Sequence, residues 1–184
     1  MVFGVPDPRK YEHAVRSLGP SATIVGTVDA IAASEVVILA VPYGAAQSVA
    51  RSVADWQGRV LVDATNPIAP GLAGLSIGTT TSGAEELARH AHGARVVKAF
   101  NTTGAENLAD PGYPGGVPCM PVCGDDADAR QRVVALATLL GFDALDMGAL
   151  SAARYLEPFA MTWIHLALTR GYGRNIAFGL LRRS

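Results

Sequence analysis

Amides, hydroxyls and prolines gather in this sequence where apolar runs stop. PDP follows VFGV, VPYG follows the run EVVILA, ATNP follows RVLVD, and FNTTG follows ARVVKA. Asn and Thr side chains at such points can hold and orient a ligand by hydrogen bonds. For a single loop, turn formation accounts for the same residue types; four such loops together point to a ligand site. The two cysteines, Cys119 and Cys123 in CMPVC, offer no rival chemistry. On a strand they share a face, about 13 Å apart along an extended chain, which is too far for a disulfide. No second Cys or His pair completes a zinc site.

Composition narrows the function classes. The chain has 184 residues, 49% hydrophobic and 17% charged, with a formal net charge of -1. That is the size of one compact domain with a substantial core. Near-neutral charge, and no basic block beyond the terminal Arg pair, argue against nucleic acid or an anionic membrane surface as partner. The longest apolar stretch, FAMTWIHLAL, is half of the ~20 residues that a membrane span requires. The N-terminus lacks the regions of a secretion signal, so a cytoplasmic protein is expected.

The elements that must position the polar residues follow from hydrophobic spacing. Apolar runs at 2–5, 22–25, 35–41, 59–65, 94–100, 120–124 and 143–147 are nearly continuous, as strands covered on both faces require. Between them lie stretches of helical spacing, with Ala45, Val49, Val53 and Trp56 on one face after Pro42, and Val133, Leu136 and Leu140 on one face after Ala127. Alternating strand and helix predicts an α/β fold with a doubly wound, mostly parallel sheet. In such sheets ligands bind at the carboxyl ends of the strands, where the polar loops fall. Residues 1–150 read as this domain. Residues 151–184 read as a helical segment: SAARYLEPFAMTWIHLALTRG is apolar nearly all round, broken once at Pro158, and NIAFGLLRR adds a short amphipathic turn. A helix apolar on every side is buried, here against the sheet or a second subunit, and a homodimer is expected.

The segment VVKAFNTTGAENLADP, with VDATNP upstream and RYLEPFAMTWIHLA downstream, resembles the NADP-dependent reductases of the deazaflavin coenzyme F420. The cytosolic domains of membrane metalloreductases resemble it more distantly. The likeness runs from Val2 to Arg183. It implies a Rossmann-like domain that binds NADP(H), with a deazaflavin or flavin as second substrate against the nicotinamide. Members of the family begin with a strand, a G-x-G-x-x-G turn and a helix, and only then reach a stretch like VFGV. No G-x-G-x-x-G occurs here, so the expectation is an N-terminally incomplete domain. Either its first, central strand is missing, or the flanking strands close up and pair directly.

The resemblance also assigns roles. In these folds the end of the VFGV strand distinguishes NAD from NADP, an acidic residue taking the ribose hydroxyls and a basic one the 2′-phosphate. The family has Arg where this chain has Pro6; Arg9 and Lys10 are within reach of the same phosphate, whereas Asp7 would repel it. Val41 and Pro42 fall beside the cofactor. Thr65, Asn66, Pro67, Asn101 and Thr102 fall where amides and hydroxyls can bond the nicotinamide carboxamide or the edge of the acceptor ring. Met161, Trp163 and His165 are the candidates for the acceptor pocket. Trp163 would serve as a stacking platform and His165 as a proton donor, although a histidine in a buried helix is more often a hydrogen-bonded core residue. No catalytic acid or base is assigned, since hydride transfer needs alignment and dryness rather than a nucleophile. Two functions are expected of such a chain: hydride transfer between NADP(H) and a deazaflavin or flavin-like acceptor, or an inactive scaffold with weak or no nucleotide binding.

Overall fold

The computed structural model describes residues 1–183. Each apolar run becomes a strand, and most of the strands are shorter than the runs. They are β1 (Val2–Val5), β2 (Thr23–Gly26), β3 (Val36–Leu39), β4 (Val60–Asp63), β5 (Arg95–Lys98), β6 (Cys119–Gly124) and β7 (Asp143–Asp146). The helices are α1 (Pro8–Arg16), α2 (Thr27–Ala32), α3 (Tyr43–Ala50), α4 (Gly83–Ala88), α5 (Glu106–Ala109), α6 (Ala127–Leu139) and α7 (Ala153–Ile164). The fold is α/β with a mostly parallel, Rossmann-like sheet. Strands β3 to β7 form one sheet in chain order, parallel except where β5 meets β6. Strands β1 and β2 pair in parallel as a separate two-stranded sheet. Among the described residues β1 does not pair directly with β3, and the sheet is in two pieces.

Alternation along β4 and β5 sorts the core into two layers. Leu61 and Val96 point to one face, where Ala46 and Ala50 of α3, Leu87 of α4, and Ala153 and Leu156 of α7 cover them. Val60, Val62 and Val97 point to the other, against Ala129, Val133 and Ala137 of α6. These last three recur every four residues, which places them on one stripe of the helix. Leu136 packs only partly and Leu140 is exposed, so the helix is rotated slightly from the face its larger side chains suggest.

Three other expectations shift in detail. The helix after Pro42 stops at Ala50, and Trp56 reaches the core from the following loop, fully buried, its indole N–H donating to the Ala50 carbonyl at 2.9 Å. The break expected at Pro158 does not occur: α7 runs through that residue and ends in a π-helical turn over His165–Thr169. NIAFGLLRR, expected as an amphipathic turn, is neither helix nor strand. It is held as a strap because the Phe178 carbonyl accepts from Cys119 N, while Trp163 Nε1 and Asn107 Nδ2 both donate to the Ile176 carbonyl.

The smaller sheet hangs on α2. Ala30 packs against β1, where a Cβ on Gly4 would stand 2.6 Å from the Ala30 methyl, so only glycine permits this approach. The next residue, Ile31, turns into the core of the larger sheet. Because Trp56 fills that same core layer and satisfies its N–H there, Trp56→Ala is expected to destabilise the protein by about 3–5 kcal/mol, read from urea unfolding.

Candidate functional site at the carboxyl edge of the sheet

One row of side chains crosses the large sheet in register: Leu39, Asp63, Lys98 and Cys123. Asp63 and Lys98 are thus directly opposed on neighbouring strands, and both are fully buried. Lys98 Nζ donates to Asp63 Oδ2 at 2.9 Å and to the Thr65 carbonyl at 2.5 Å. It also lies 3.0 Å from Oε1 of Glu157 on α7, which is buried as well. Burial alone would push the Lys98 amine down, but Asp63 and Glu157 outweigh it and hold the amine above its ordinary value. At the end of the row, burial pushes the Cys123 thiol up to about 12 despite the nearby ammonium. It is an inert core thiol.

This charge cluster builds the loop that follows β4. Asp63 Oδ1 accepts from Thr65 N at 2.9 Å and from Thr65 Oγ1 at 2.7 Å. Thr65 is therefore turned inward, fixing the loop. Asn66 is projected to the strand edge, where its Nδ2 donates to the Asn101 carbonyl at 2.9 Å. Asn101 Nδ2 donates in return to Asn66 Oδ1 at 3.0 Å and to the Leu156 carbonyl at 3.3 Å. The two amides form a reciprocal clamp between the ends of β4 and β5. Asn101 leaves β5 through Phe100, a bulky residue held in the left-handed region at φ 60°. Phe100 N donates to the Met120 thioether, which Thr102 Oγ1 also reaches at 3.8 Å. Asn101 Oδ1 is buried and has no hydrogen-bond partner among the described residues. A buried acceptor without a donor is costly.

Beyond the clamp, two chain segments lead to one cavity. The loop from Asn66 and Pro67 continues to Leu72, Gly74 and Thr79; α7 continues from Leu156 to Pro158 and Met161. Together with Thr162 and His165 they line about 730 Å³ of open, mainly apolar space with, among the described residues, no carboxylate, Lys or Arg in its wall. His165 is exposed there, not a core histidine. Trp163 faces the other way, buried against the C-terminal strap with the Arg174 guanidinium 5.8 Å from its ring.

The remaining candidates are divided between the two sheets. Val41 packs on the core, and Pro42 occupies the position before α3, its carbonyl accepting from Ala45 N. Pro67 is buried and its carbonyl takes both Ser76 N and Ser76 Oγ. Pro6, Asp7, Arg9 and Lys10 lie on the separate small sheet unit, all exposed. Asp7 is a helix cap, its carboxylate accepting from Arg9 N at 3.1 Å. That leaves the Arg9 and Lys10 charges without an ion-pair partner among the described residues.

NADP(H) can be tested against these groups. The orphaned Asn101 Oδ1 beside the Asn66 amide suits the carboxamide of a nicotinamide, and the cations at the start of α1 suit a phosphate. No glycine-rich turn for the pyrophosphate is found among the described residues.

Sequence reasoning missed Lys98 and Glu157. Each was visible as a single charge inside an apolar run, in VVKAF and in YLEPFAM, which signals a buried partner. Lys98→Met, which strands two buried carboxylates, is expected to cost about 3–5 kcal/mol, measured by chemical denaturation. A second pair ties α4 to α7: Arg154 binds both carboxylate oxygens of Glu85, at 2.7 and 2.9 Å. The Arg154 bonds hold Glu85 below its ordinary value of 4.5. A depressed carboxylate contributes stability above its unfolded value and loses it as the pH falls through the folded one. Thermal midpoints should therefore decline below pH 4.5, and less steeply in Glu85→Gln.

Residues 1–67 match the family model of NADP oxidoreductases described as coenzyme F420-dependent. Over 153 residues the chain is 35% identical to the F420-dependent NADP reductase of Methanothermobacter marburgensis, covering 78% of this chain and 68% of that protein. It is 32% identical over 164 residues to the metalloreductase STEAP3 of Rattus norvegicus, which takes in 88% of this chain but only 31% of the relative's length. A crystal structure named for an F420-dependent NADP-reductase from Arthrobacter sp. FB24 superimposes with a TM-score of 0.88 at 27% identity, covering 98% of this chain and 88% of that one. With 35% identity to a relative of which it covers 68%, the chain belongs to the F420-dependent NADP reductase family of NADP oxidoreductases.

Proposed function

We propose that this chain binds NADP(H) along the carboxyl edge of its sheet and passes a hydride between the nicotinamide and a deazaflavin or flavin-like ring in the adjoining cavity. The observation that carries the reading is the Asn66–Asn101 clamp, with its unpartnered Oδ1, joined through two chain segments to a roomy apolar cavity. When bound, NADPH supplies the hydride. The protein's share is to fix the carboxamide through Asn66 and Asn101, to offer Arg9 and Lys10 to the 2′-phosphate, and to seat the acceptor against Met161 and Pro158. The cavity wall favours an uncharged planar ring over an anionic ferric chelate, because among the described residues it carries no Lys or Arg to balance such a charge. A homodimer in the cytoplasm completes the proposal, with sedimentation analysis as the test of the dimer. No helix among the described residues is long and apolar enough to cross a membrane.

The divided sheet favours a second reading, a scaffold with weak or no nucleotide binding, since the groups facing the phosphate and those facing the nicotinamide stand on separate ladders. Calorimetric titration decides between the two. Under the first reading NADPH binds in preference to NADH, Asn101→Ala weakens binding by about tenfold, and F420 or FMN drives loss of nicotinamide absorbance. Absence of heat with either nucleotide, from protein shown to be folded, would establish the second.

A further inference from the structure

The cluster under the site holds one carboxylate more than its charge balance needs. Asp63 and Lys98 already form a neutral pair across β4 and β5. Glu157 adds a second buried negative charge from a different layer of the fold. Burying such a charge costs more than its attraction to a single shared ammonium returns, so stability alone is a poor account of it.

Glu157 reaches further than Lys98. Its Oε2 accepts from Gly83 N at 2.8 Å, and its Oε1 accepts from Ala84 N at 3.1 Å as well as facing Lys98 Nζ. The carboxylate is thus committed to two different elements: β5 through Lys98, and the first turn of α4 through two backbone amides. The fit is close, since a Cβ on Gly83 would lie 3.2 Å from Oε1 and 2.8 Å from the Tyr43 ring. The two neighbours of Glu157 in sequence are both at the site. The Leu156 carbonyl takes Asn101 Nδ2, and Pro158 lines the acceptor cavity.

We propose that Glu157 is a positioning residue that sets the spacing between the amide clamp and the acceptor cavity, and so the distance over which the hydride moves. One carboxylate fixes α7 in height and rotation against the sheet, and both walls of the reacting space are carried by the residues on either side of it. The hydride part rests on the function proposed above; the positioning of Asn101 does not. A hydride transfer rate depends steeply on such a distance, since misplacement by about 1 Å can cost about 100-fold.

Two variants separate positioning from support. Glu157→Gln keeps the volume and removes the excess charge, but its amide nitrogen cannot accept from Gly83 N or Ala84 N. Glu157→Asp keeps the charge and withdraws it by one methylene. The first readout needs no cofactor: the Asn101 side-chain amide resonances in nitrogen–proton NMR spectra should move, and exchange faster with solvent, in both variants. The second is single-turnover NADPH oxidation with F420, and with FMN in parallel. The hydride step is expected to slow by about tenfold or more while the NADPH dissociation constant stays within about twofold. Unmoved Asn101 resonances in both variants would overturn the proposal. So would a hydride rate unchanged from wild type, or loss of folding in both variants, which would make Glu157 a residue of stability alone. Failure of the wild type to oxidise NADPH with either acceptor would sink the proposed function instead, leaving the Asn101 resonances to decide the role of Glu157.

Discussion

An ammonium group without exposed surface sits beneath the carboxyl ends of β4 and β5, and the geometry of the site depends on what surrounds it. Lys98 and Asp63 are cross-strand neighbours, so the register of the sheet itself brings them together. Removing such ions from water costs several kcal/mol each, and the cost is offset only because nearly every polar atom finds a partner. Asp63 turns one oxygen to Lys98 and the other to the Thr65 backbone and hydroxyl; Lys98 turns its remaining protons to Glu157 and the Thr65 carbonyl. The β4 loop cannot leave this arrangement without exposing a charge to a dry interior. Its rigidity is inherited by Asn66, the next residue along.

Rigidity on the β5 side has a different origin. Phe100 adopts a backbone conformation that bulky residues avoid, at a cost of about 1–3 kcal/mol. It is held there by what lies on both sides: Phe100 is buried in the second core layer, its N–H is taken by the Met120 thioether, and Asn101 is locked by Asn66 and Leu156. The strained turn aims the Asn101 amide across the strand ends instead of along the strand. One buried ion cluster and one strained turn therefore converge on a pair of amides, and α7 closes over both.

Much of this could be read from the sequence, for identifiable reasons. Continuous Val and Ile runs report strands covered on both faces, so the strands themselves and the polar edge at Thr65, Asn66 and Asn101 follow directly. Trp56 misled because a single aromatic fits a helical stripe as well as it fits a loop folded back on the core. Leu140 misled because the α6 stripe is set by small residues, Ala129 and Ala137, which allow close packing and carry little weight in a hydrophobic pattern. Lys98 and Glu157 stand out as lone charges in apolar runs, but which partners they meet is a matter of register and layer, which no local pattern encodes. Trp163 belongs to the strap rather than the cavity for the same reason: α7 has two apolar faces, and only the tertiary contacts show which one lines the cavity and which meets Ile176.

The division of the sheet bears on how any dinucleotide would be held. Groups suited to a phosphate stand at the start of α1, on the two-stranded ladder, and groups suited to a carboxamide stand on the five-stranded one. Between them α2 is the mechanical link, Ala30 against Gly4 on one side and Ile31 in the larger core on the other. A link of six residues resists relative movement less than a continuous hydrogen-bonded ladder does. Ligand that contacts both pieces at once must supply the order that the ladder does not, and that ordering is subtracted from its affinity. By the same linkage it stabilises the joined arrangement increasingly as its concentration rises above the dissociation constant. The amide clamp needs no such help, since its order comes from Lys98, Asp63 and Glu157 around one sheet. In the proposed binding mode, order at the nicotinamide end comes from the fold itself, whereas order at the phosphate end depends on how firmly α2 holds β1 in place.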